Sequence, residues 1–86
     1  MSAAEIRARL VEDAAVIYPG PYLNQLRGES IESQCQEFLA NGVRHIVINF
    51  EETELINSIG ISILRQTGKR PEIISVCTYG MPYDVR

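Results

Sequence analysis

Basic clusters, metal-spaced cysteines, glycine-rich phosphate loops and long apolar runs are all missing from this chain of 86 residues. Its 8 Lys and Arg are scattered, only Lys69 and Arg70 being adjacent, and 11 Asp and Glu outnumber them for a net charge of −3. A nucleic-acid-binding surface needs a basic stripe, so that class is excluded. Neither a GxGxxG nor a GK[ST] sequence occurs, which leaves nucleotide hydrolysis without a phosphate cradle. The two cysteines, Cys35 and Cys77, show no CxxC or Cys/His metal spacing. Counting alone leaves a disulfide between them open. The expectation is two buried thiols in a reducing compartment, because Cys35 falls on the apolar stripe of a helix and Cys77 ends an apolar strand. Residues 1–6 show no basic region leading into an apolar run, so no secretory signal is expected. No stretch approaches the roughly 18 apolar residues that a membrane span requires. The expected compartment is the cytoplasm.

What is present describes one small globular domain over residues 1–86, 45% hydrophobic and 22% charged. A chain of this size buries only about 60% of its unfolded surface, so the core has to be well packed. Ile6, Ala8 and Leu10 alternate with Arg7 and Arg9, the period of a half-buried strand. Glu12 and Asp13 supply a turn, and residues 14–18 form a second strand stopped by Pro19-Gly20-Pro21. So short a turn predicts a hairpin. Ile31, Cys35, Phe38 and Leu39 make one helical stripe, with Glu29 or Ser30 near its N-cap and Asn41-Gly42 as its stop. Residues 43–50 are nearly continuous in apolar and β-branched side chains, which predicts a central strand buried on both faces. An acidic loop follows at Glu51, Glu52 and Glu54. Asn57 and Ser58 then open a short helix, with Ile59, Ile63 and Leu64 as its stripe and Gly68 and Pro71 closing it. Ser58 is expected as the cap. Residues 71–77 read as a last strand and residues 78–83 as loop. The fold class is α/β: a mixed sheet of about four strands with helices packed on it.

The stretch from Val43 to Glu51, continued through Ile56-Asn57-Ser58-Ile59-Gly60-Ile61, resembles the centre of STAS domains. These are the domains of bacterial anti-sigma factor antagonists and of sulfate-transporter C-termini. In that family an apolar strand carrying Asn or Asp runs into an Asp-Ser-Ser/Thr-Gly sequence that opens a helix. The resemblance covers residues 5–77 in order and is specific over roughly 43–64. It implies a non-catalytic regulatory domain whose partner is an anti-sigma factor with Ser/Thr kinase activity, and it places the phosphoacceptor at Ser58. It also implies a partner surface of Asn57, Ser58, Ile59 and Gly60, with Tyr22 and Asn24 contributed from the loop after Gly20. Gly60, lacking a side chain, would let a partner's backbone come close. A phosphate on Ser58 would add about −1.5 to −2 charge beside an already acidic loop.

Three features depart from the family pattern. Asn57 stands where the family has Asp, and Ile59 where it has a second Ser or Thr. The family's usual last helix is expected to be missing, residues 81–86 resembling only its beginning. The first two favour an alternative in which the chain is a constitutive STAS assembly module of a transporter or multi-subunit scaffold, without phosphorylation. The third leaves two expectations open: the chain is a fragment of a longer domain, or its uncovered apolar sheet is covered by forming a homo-oligomer.

The remaining polar residues carry simpler readings. His45 is a lone histidine in a strand with no catalytic partner in sequence and is read as structural. Glu51, Glu52 and Glu54 lack the glycine and ligand spacing of a calcium loop and are read as a solvated loop. No cofactor, metal or catalytic residue is expected.

Overall fold

A computed structural model describes residues 6–73 and 75–80. The elements are β1 (Arg7–Val11), β2 (Ala14–Tyr18), β3 (Tyr22–Leu23), α1 (Gln25–Ala40), β4 (His45–Asn49), β5 (Leu55–Ile56), α2 (Ser58–Thr67) and β6 (Ser75–Tyr79). The four longer strands form one mixed sheet in the order β1-β2-β4-β6. β1 and β2 are an antiparallel hairpin, with Val11 opposite Ala14 and Glu12 in the left-handed region at φ 57°. β2 pairs with β4 and β4 with β6 in parallel. Parallel neighbours require a crossover, and α1 and α2 supply the two.

Both helices lie against the face that carries Ala15, Ile17, Ile46 and Ile48. Those four side chains share one buried cluster with Ile31 and Cys35 of α1 and Ile61 of α2. The sheet centre is where the sequence predicts it, Ile46 and Ile48 being buried. β4 is not buried on both faces, however: His45, Val47 and Asn49 on its other face are only half-buried. The apolar run reflects the β-preference of Val47, since helices cover a single face among the described residues.

Three boundaries differ from the sequence expectations. α1 begins well before Ser30, at Gln25, because the Asn24 side chain accepts a 2.9 Å hydrogen bond from the Arg27 amide. Its end is as expected, Asn41 being the C-cap and Gly42 following at φ 93°. The last strand starts at Ser75, since residues 71–72 are a turn, and it runs through Thr78 and Tyr79 where a loop was expected. Cys77 lies on this edge strand and is exposed, so only Cys35 fulfils the buried-thiol expectation. Burial pushes the Cys35 thiol up to about 11. The segment read as the start of a last helix, residues 81–86, lies outside the described residues.

Candidate functional site

The loops that leave β2 and β4 emerge at the carboxyl ends of parallel strands, the usual place for a site in an α/β sheet. The sequence reading missed what joins them. Tyr22 pairs with Leu55 and Leu23 with Ile56 in a two-residue parallel bridge, β3 with β5. The Glu54 and Leu55 amides both donate to the Pro21 carbonyl, at 2.8 and 3.1 Å, and the Asn57 amide donates to the Leu23 carbonyl at 2.8 Å. Alternation across the bridge buries Leu23 and Ile56 and turns Tyr22 and Leu55 outward, 42% and 50% exposed. The only sequence signal was an apolar pair on each side, Tyr22-Leu23 and Leu55-Ile56, too short to register as strands.

This bridge sets the two helix starts side by side. Asn24 caps α1, and Asn57 caps α2, its side chain accepting a 2.7 Å hydrogen bond from the Ile59 amide. Ser58 is therefore not the cap. It is the first helical residue and it is exposed. Asn57 wins because it holds the extended backbone of a cap, φ −81° and ψ 141°, and its side-chain oxygen reaches the amide two residues on. Ser58 then sits where first-turn amides lack intrahelical partners and the helix dipole favours negative charge.

Gly60 has a different role from the one expected. It is buried, and a Cβ built there would lie 2.8 Å from the Asn24 carbonyl oxygen and 2.9 Å from that of Leu23. A Cβ on Gly28 would in turn lie 3.2 Å from the Gly60 carbonyl oxygen. The backbone that approaches Gly60 thus belongs to this chain. The glycine lets α2 pack against the start of α1, and it offers a partner no surface.

Of the six residues singled out for a partner, five gather at this end: Tyr22, Asn24, Asn57, Ser58 and Ile59, with Gly60 beneath them. Ile59 is 52% exposed and Leu26, early in α1, 48%. With Tyr22 and Leu55 they give four large apolar side chains turned outward around the two helix starts. Ser58, Ile59, Ser62, Ile63 and Gln66 line a shallow depression of about 290 Å³ along α2. Neither Leu26 nor Leu55 was expected at the surface from sequence. Leu55 sits one position out of phase with buried Ile56, and Leu26 falls between exposed Gln25 and half-buried Arg27, a placement visible only once the bridge and the cap of α1 are in place.

The acidic loop is structured. The Asn49 side chain accepts a 2.9 Å bond from the Glu51 amide, and Glu52 meets Arg7 of β1 at 3.6 Å, both ends exposed. Among the described residues no cluster of His, Cys, Asp or Glu could hold a metal ion. His45, which lacked a partner in sequence, gains two from the fold. Its Nδ1 is 2.8 Å from Ser75 Oγ and its Nε2 is 3.8 Å from Asp13. These three lie on the open sheet face, where they tie β6 and the hairpin turn to β4.

No family model matches the chain, and no curated protein matches it. Solved structures do. The crystal structure of an anti-sigma factor antagonist from Mycobacterium paratuberculosis is similar with a TM-score of 0.68 at 17% identity, over 86% of this chain and 66% of that one. An antisigma-factor antagonist STAS domain from Rhodobacter sphaeroides is similar with a TM-score of 0.57 at 14% identity, over 94% of this chain and 91% of that one. Part of the protein Mglu is similar with a TM-score of 0.76 at 15% identity, over 93% of this chain but 20% of Mglu. The chain therefore spans a fifth of Mglu and just under two thirds of the mycobacterial antagonist. At these identities the likeness is one of fold, and the fold is that of a STAS domain. No helix among the described residues is long and apolar enough to cross a membrane.

Proposed function

We propose that this chain is a non-catalytic regulatory domain that binds a protein partner through the Tyr22–Leu55–Ile59 end and is switched by phosphorylation of Ser58. The observation that carries the reading is the position of Ser58. It is an exposed hydroxyl in the first turn of α2, next to the start of α1, amid Tyr22, Leu26, Leu55 and Ile59 turned to solvent. Large exposed apolar side chains gathered at one end are the composition of a partner surface. A phosphate there would be tolerated by the helix start, because the dipole and free amides favour an anion. It would also place a charge amid apolar contacts, where a partner would have to desolvate it. The switch would then act by expelling the partner, with no refolding required. The partner class that fits is an anti-sigma factor with serine kinase activity.

A constitutive assembly module is the second reading, and one observation favours it. The residue before Ser58 is a neutral Asn57 whose side chain is committed to the cap, and the one after it is an exposed Ile59. The loop thus offers a kinase fewer polar contacts and a scaffold more apolar area. The distinguishing experiment is affinity capture from native lysate with wild type and Ile59→Glu, followed by mass spectrometry of the captured protein and of Ser58. Capture lost in Ile59→Glu, together with phosphorylated Ser58 in the unbound pool, is the expected result. Capture that survives Ile59→Glu contradicts the surface, and Ser58 unmodified throughout leaves the assembly reading.

A further inference from the structure

A second concave surface lies along α2, and it shares no lining residue with the depression beside Ser58. Between α2 and the strands β4 and β6 a groove of about 360 Å³ is open to solvent, with Ile48, Phe50, Ile61, Leu64 and Val76 as its apolar lining. That volume falls within the range of small-molecule sites, about 300–1,000 Å³. Val76 projects from the helix-covered face of the sheet, paired in register with buried Ile46, yet is 43% exposed. β6 is the edge of the sheet among the described residues, so no further strand shields that flank.

Two further features restrict what could lie there. Ile48, Leu64, Gly68 and Val76 also border a recess of about 20 Å³ that reaches inward to Cys35, Ile46, Thr67 and Ile73. At the outer rim stand Arg65 and Lys69, four residues apart. The ion pairs of the described residues join Arg7 to Glu52, Asp13 to His45 and Arg70 to Glu72, so neither rim cation has a partner among the described residues.

We propose that this groove binds a fatty-acid carboxylate, its tail along Ile48, Leu64 and Val76 and its head between Arg65 and Lys69. The lining favours a hydrocarbon, because apolar area removed from water is the driving force there. The rim favours an anion, since two like charges with no carboxylate partner among the described residues gain from one between them. The groove narrows inward to a recess of about 20 Å³ that admits roughly one water-sized group, room for the terminal methyl of a tail.

The test is a titration of the whole chain with dodecanoate below its micelle concentration, followed by calorimetry and by amide chemical shifts. The expected result is saturable one-to-one binding with shifts at Ile61, Leu64, Val76 and Thr78. The double variant Arg65→Glu/Lys69→Glu, on exposed positions, should weaken binding at least tenfold. Dodecanol, with the same tail and no charge, should bind the wild type more weakly than dodecanoate. Thr78→Trp, also at an exposed position, should block the groove and abolish binding while circular dichroism stays native. Non-saturable uptake, equal affinity for the charge-reversed variant, or shifts confined to Tyr22, Leu55 and Ile59 would each overturn the proposal. So would a concentration-dependent dimer that Thr78→Trp dissociates, because the groove would then be occupied by a second copy.

Discussion

Replacing Gly60 by alanine should destabilise the domain even though alanine is the better helix former. Gly to Ala in an exposed helix interior gains about 1 kcal/mol. At Gly60 the added methyl carbon would stand 2.8 Å from the Asn24 carbonyl oxygen, 2.9 Å from that of Leu23 and 3.1 Å from the Asn24 carbonyl carbon. All three are backbone atoms, and Leu23 is held by the Asn57 amide at 2.8 Å and by its place in the β3–β5 bridge. Overpacking of this kind costs about 1–3 kcal/mol when side chains can yield, and here none can. The net expectation is a loss of about 1–2 kcal/mol, the upper part of the cost range less the propensity gain. For a domain of this size that lowers Tm by roughly 4–16 °C. Gly42→Ala is the control. It meets nothing within 4 Å, so its cost comes only from the backbone at φ 93°. Urea denaturation of both variants, with the helix signal by circular dichroism, measures the effect. Gly60→Ala as stable as wild type would refute the close packing of the two helix starts.

Asn57→Ala and Asn24→Ala should each lose about 1 kcal/mol in urea denaturation, being caps, while Ser58→Ala stays within about 0.5 kcal/mol as an exposed non-cap position. A larger loss at Ser58 than at Asn57 would reverse the cap assignment. Cys77 should react with a thiol reagent in the native state and Cys35 only on unfolding; equal rates would contradict their burial. Because the Cys35 thiol is raised from 9.0 to about 11, the unfolded chain loses this proton first as pH rises. The contribution of this group is intact below pH 9.0 and is lost as pH climbs toward about 11. Stability should therefore fall across that window, and Cys35→Ala should flatten the fall.

The frame of the fold was legible because its signals are local or periodic. The Asp13 turn, the stripe from Ile31 to Leu39, the Asn41-Gly42 stop and the apolar run through Ile46 and Ile48 each name an element by themselves. The site was only partly legible. The motif drew attention to Ser58, yet the cap of α2 went to Asn57, since both residue types cap helices and backbone geometry decides between them. The early start of α1 was hidden because Gly28 and the polar Gln25 and Arg27 dilute the stripe there. Gly60 looked like a gap left for a partner because what fills it comes from Leu23 and Asn24, far away in sequence. The partners of His45 were invisible for the same reason: Ser75 reaches it only through the β4–β6 pairing. Long-range contacts of this kind leave no periodic trace.

The proposal that Ser58 switches a partner surface is tested most directly by calorimetric titration of the captured partner with wild type, Ser58→Ala and Ser58→Asp. Asp in the first turn of α2 complements the helix dipole, and Asn57 still caps the helix, so all three chains should be equally folded. The expected result is unchanged affinity for Ser58→Ala and at least tenfold weaker binding for Ser58→Asp, about 1.4 kcal/mol or more. Equal affinity for all three chains would contradict the switch.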